Sequence, residues 1–174
     1  MKAQFEKKLI EQGFSFKCHT DDYYILSHKN DDMGNVTVQF IYSELPDEVI
    51  QISNNGNEIE AIGHFNLKLL NQIEDSDFLI LAFQNTNNQS VNFIIIPRFE
   101  LIKRLYKDNR ISNVTQIIET VFWLLPDHCL YDCTDLGTEG EWFYMSKGTN
   151  GRMADNTEMN YTEFLNNWNV LIAL

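Results

Sequence analysis

The stretch DFLILAFQNTNNQSVNFIIIP, residues 77–97, holds two apolar runs, Phe78 to Phe83 and Val91 to Ile96, on either side of a polar QNTNNQS segment. Each run is too short for a helix and lacks polar alternation, the pattern of a strand buried on both faces. They read as neighbouring strands of one sheet. A sheet buried on both faces needs a covering layer on each side, and helices are the expected cover.

Working outward toward the N-terminus, residues 2–12 put Phe5, Leu9 and Ile10 on one face of a helix that Gly13 stops. Strands are expected at 14–17 and 23–28, and again at 35–43, where Val36, Val38, Phe40 and Tyr42 share a face. The last two are candidates for an antiparallel hairpin. After Pro46 a short strand is expected at 48–53, and the apolar positions Ile62, Phe65, Leu69, Leu70 and Ile73 predict a helix over 59–74. Strand, helix and strand make a crossover unit, so at least one parallel pairing follows.

Toward the C-terminus, helices are predicted at 98–108 and at 113–125, the second opened by an N-V-T-Q capping pattern and closed by Pro126. EWFYMS, residues 141–146, reads as a strand between Gly-rich loops. Tyr161, Phe164, Leu165, Trp168, Leu171 and Ile172 recur at helical spacing and predict a closing helix over 160–174. The expected fold is α/β or α+β, a single domain with a mixed central sheet of about five or six strands, helices on both faces and a C-terminal helical extension.

A net charge of −12 in 174 residues sets the whole-molecule field against phosphate backbones and anionic membranes, so nucleic acid is disfavoured as a partner. A protein partner suits this charge better. The N-terminus lacks the apolar core of a signal peptide, no apolar run approaches a bilayer span, and three unpatterned cysteines suit a reducing compartment, so a cytoplasmic location is expected. Oligomeric state is not legible.

In element order, and in the run HFNLKLLNQIEDSDFLILAF followed by VNFIIIPRFELIKRL, residues 1–107 resemble the restriction-endonuclease-like fold of the PD-(D/E)XK nucleases. The resemblance implies a divalent cation held between carboxylates on adjacent strands and a lysine two residues beyond the second one. The matching strand is 48–53, and the weak catalytic candidates are Asp32, Asp47 and Glu48. The motif lysine is missing: Ile50 stands two residues after Glu48. From Asn30 to Leu67 there is no Lys or Arg, while seven carboxylates occur, so a scissile phosphate meets an acidic surround. A member without nuclease activity is the expectation.

Other candidates come from the residues directly. The loop SKGTNGRMADN and its aromatic neighbours nominate Trp142, Tyr144, Lys147, Arg152 and Asp155 as a binding surface for a partner or a small anionic ligand. Lys103, Lys107 and Arg110 fall on one basic helix face, which also reads as an ordinary solvated face. Cys18-His19 and His128-Cys129-x-x-x-Cys133 carry zinc-type donors in a loose pattern that buried structural cysteines explain better. No metal or cofactor is expected. His64, after Gly63, reads as a partly exposed histidine at a helix start. A non-catalytic interaction or regulatory module is the favoured reading, with a metal-dependent nuclease and an anionic-ligand binder as alternatives.

Overall fold

The structure is a computed structural model, which describes residues 1–29, 34–43, 59–68, 77–85, 89–107, 117–125, 128–134 and 159–172. Its described elements are two α-helices, α1 (Lys2–Glu11) and α2 (Arg98–Lys107), and eight strands. These are β1 (Phe14–Cys18), β2 (Tyr23–His28), β3 (Val36–Tyr42), β4 (Ala61–Lys68), β5 (Phe78–Gln84), β6 (Val91–Pro97), β7 (Ile117–Leu124) and β8 (Leu130–Asp132). The fold is α+β. None of the described helices is long and apolar enough to cross a membrane.

A five-stranded sheet has the order β1-β2-β3-β5-β6, antiparallel at every junction except β3–β5, which is parallel. The two apolar runs, 78–83 and 91–96, lie in β5 and β6, joined antiparallel with Leu79 opposite Ile96 and Leu81 opposite Ile94. β5 is buried along both faces, and alternate residues serve two different cores. Phe78, Ile80 and Ala82 join Phe5 and Leu9 of α1 in one cluster. Leu79, Leu81 and Phe83 join Leu101 and Leu105 of α2 in the other.

The second cluster is closed by a three-stranded antiparallel sheet, β4-β7-β8, rather than by helices alone. Two predicted helices are corrected here. Residues 61–68 of the expected 59–74 helix are strand β4, in which Ala61, Phe65 and Leu67 enter the shared core while Ile62 faces a third apolar cluster with Trp123 and Cys133. Residues 117–124 of the expected 113–125 helix are strand β7, with Ile118, Phe122 and Leu124 inward and Trp123 outward. Both segments bury alternate residues on two sides, the period-two requirement of a covered strand, and the β-branched run around Thr120 and Val121 suits it. The parallel β3–β5 pair is therefore connected by a chain path through β4 of the second sheet. The 48–53 and EWFYMS strands lie outside the described residues.

The closing helix over 160–174 is also corrected: residues 160–172 contain only two 3-10 turns, Thr162–Phe164 and Trp168–Leu171. Tyr161 and Phe164 belong to the core beneath the second sheet, and Trp168 and Leu171 to the core beneath α1. One helix face cannot reach two cores on opposite sides of a sheet. The segment instead passes the free edge of β6, where Leu165 bridges Ile94 and Asn166, at φ 52°, exchanges two hydrogen bonds with the backbone of Phe93.

Gly63 of β4 is where a side chain is not tolerated. A Cβ there meets Phe65 at 2.7 Å and Phe83 at 3.0 Å, so the absent methyl makes room for two aromatic rings that pack edge to face.

Candidate functional site

The groove between α1 and the C-terminal segment follows from how each is anchored. Phe5 fixes α1 by stacking on Phe40 at 4.3 Å and meeting Tyr24 edge-on at 5.1 Å. Tyr24 in turn donates to Glu6 at 3.1 Å, and burial with the Glu6 charge drives its phenol pKa upward. With Phe5 and Leu9 turned inward, helical spacing sends Gln4, Lys7, Lys8 and Glu11 to the side, where with Gln12 they form one wall. The facing wall is Asn166, Asn167 and Asn169, held beside β6 by the Asn166–Phe93 bonds and by Asn167 donating to the Glu163 carbonyl at 2.9 Å. Val91, Phe93 and Trp168 form the floor of this groove of about 540 Å³.

Its chemistry is polar and nearly balanced. Glu11 sits between two ammonium groups, 3.2 Å from Lys8 and 3.9 Å from Lys7, which leaves one positive charge uncompensated. Asn166 and Asn167 are occupied by the fold, whereas the amides of Gln4, Gln12 and Asn169 make no hydrogen bond among the described residues. A side-chain amide both donates and accepts, so three of them present a surface for a ligand that does the same. Trp168 is 5% exposed and its indole N–H has no partner. That atom is fully covered, so it is a cost to the fold of about 1–3 kcal/mol and not a contact offered to a ligand.

Other polar clusters bind the fold together. Arg104 of α2, only 7% exposed, donates to Glu100 at 2.9 Å, to Glu163 at 2.7 Å and to the carbonyl of Asn160 at 2.6 Å, and lies over the rings of Tyr161 and Phe164. Burial opposes ionisation of Glu100, but hydrogen bonds from Arg104 and Lys103 outweigh it and hold the carboxyl below its usual range. His64 is placed within β4, not at a helix start, and its Nε2 lies 2.6 Å from Glu119 of β7. Asn85 donates to Glu60 at 2.8 Å, with His128 3.8 Å from the same carboxylate. Cys18 ends β1 in the five-stranded sheet, while Cys129 and Cys133 flank β8 in the other, and no three metal-type donors converge among the described residues.

Of the sites named from the sequence, Asp32, Asp47 and Glu48 lie outside the described residues, as do Trp142, Tyr144, Lys147, Arg152 and Asp155, and Arg110. Lys103 is exposed and bonds Glu100 at 3.1 Å; Lys107 is the last residue of α2. The groove residues were not singled out by sequence. Their one local signal is N-N-W-N, residues 166–169, where three amides interrupt an aromatic periodicity. No protein-family model, curated protein or solved structure matches the chain.

Proposed function

We propose that this protein is a non-catalytic binding module and that the groove between α1 and residues 166–169 is its recognition surface. The observation that carries the reading is the set of uncommitted amides, Gln4, Gln12 and Asn169, on facing walls of a groove of about 540 Å³. That volume is in the range of small-molecule and short-segment sites. Glu11 neutralises one of its two lysines, so the groove favours a ligand rich in paired donors and acceptors over a polyanion. This agrees with the acidic charge of the whole chain, which disfavours nucleic acid.

The test is a thermal-shift panel of short peptides, oligosaccharides, nucleotides and organic acids, run on the parent chain and on Asn169→Trp, which fills the groove from an exposed position. A ligand of the native state raises its melting temperature. At least one class is expected to stabilise the parent and not the variant. If every probe acts on both alike, the groove is not the recognition surface.

A further inference from the structure

Resting on that reading, we infer that the groove takes an extended peptide segment, which adds to the free end of the β6 edge at Val91. In an antiparallel strand the N–H and C=O of one residue point to the same side, and successive residues alternate. Phe93 directs both groups outward, to Asn166. Val91, two residues earlier, therefore directs its own pair outward too. The hairpin bond from Asn85 N–H to the Ser90 carbonyl agrees, because it makes Gln84–Val91 a non-hydrogen-bonded pair toward β5. Among the described residues no group bonds to the outward N–H and C=O of Val91, and Val91 lines the groove.

The C-terminal segment thus caps the β6 edge at Phe93 and stops short of its first residue. A backbone donor and acceptor remain at one end of a trough whose walls carry three free amides. An extended chain alternates donors and acceptors along its length and matches that arrangement, whereas a saccharide has no use for a strand edge. Residues 4–12 of α1 span roughly 12 Å, enough for about three or four extended residues.

The experiment selects heptapeptides from a random phage library against the full parent chain and measures the enriched sequences on variants. Val91→Pro removes the outward N–H while leaving the β5 ladder intact, and proline is accepted at the first residue of an edge strand. Val91→Ala is the side-chain control. Enriched peptides are expected to bind Val91→Pro about tenfold more weakly than Val91→Ala, which keeps the N–H, and Asn169→Trp not at all. Should Val91→Pro not fold, amide exchange at Val91 in the parent is read instead and is expected to slow on adding peptide. Peptides indifferent to Val91→Pro, an unprotected Val91 amide, or no enrichment would overturn the inference. A non-peptide ligand that is lost on Asn169→Trp but kept by Val91→Pro overturns it while leaving the binding-groove reading standing.

Discussion

Arg104 shows what a single residue holds together. Its guanidinium joins α2 to the chain at 160–164 through the Glu163 carboxylate, the Asn160 carbonyl and two aromatic faces, and pairs with Glu100 of its own helix. Arg104→Ala leaves Glu100 half-buried without its main partner and is expected to cost about 3–5 kcal/mol, read by urea unfolding. Arg104→Lys should recover only part, because an ammonium cannot reproduce the fork; full recovery would mean that charge alone matters there. The cysteines divide by exposure. Cys18 is exposed, whereas Cys133 is buried and its thiol is pushed well above the usual range by burial and by the Asp132 charge. A thiol reagent near neutral pH should therefore modify Cys18 in the native chain and reach Cys133 only under denaturant, as peptide mapping would establish. The reach of Arg104 to the C-terminal chain was not visible beforehand, because those acceptors lie 56 and 59 residues away; burial of Cys133 agrees with the structural reading of the cysteines, and the exposure of Cys18 does not.

At the scale of elements, α1, β2, β5, β6 and α2 were legible because each carries one unambiguous period or a continuous apolar run. The segments now seen as β4 and β7 were not. Their apolar residues satisfy helical spacing by accident, and only the presence of cores on both sides selects the period of two. Edges pose the reverse problem of excluding partners. In β1 the N–H and C=O of Phe16 and Cys18 face away from β2, since on the alternate residues the Gly13 carbonyl accepts from the Lys29 N–H and the His19 N–H donates to the Tyr23 carbonyl. Lys17 lies between them, exposed, where pairing two copies about its position sets like charges opposite one another. Lys17→Val is expected to shift sedimentation toward larger species with rising concentration. An unchanged profile would assign the protection of this edge to something else.

At the scale of the whole molecule, thirteen cations stand against twenty-five carboxylates, a net charge of −12. Repulsion among the excess carboxylates opposes compaction and is screened as the Debye length falls from about 30 Å at 0.01 M to about 8 Å at 0.15 M salt. Raising sodium chloride across that range should increase the melting temperature by roughly 2–4 °C, corresponding to about 1 kcal/mol. A flat or falling curve would show that attractive ion pairs outweigh the repulsion.

By itself the sequence determined the doubly buried strand pair β5–β6, the amphipathic helices on either side of it and the sign of the molecular field. All of these are local patterns or sums over composition. Only the tertiary structure decided that a second sheet covers one face, that the C-terminal chain wraps the β6 edge instead of forming a helix, and that Gln4, Gln12, Val91 and Asn169 share one groove. Burial on two sides and the meeting of residues some 165 positions apart are properties of packing, and no local periodicity encodes them.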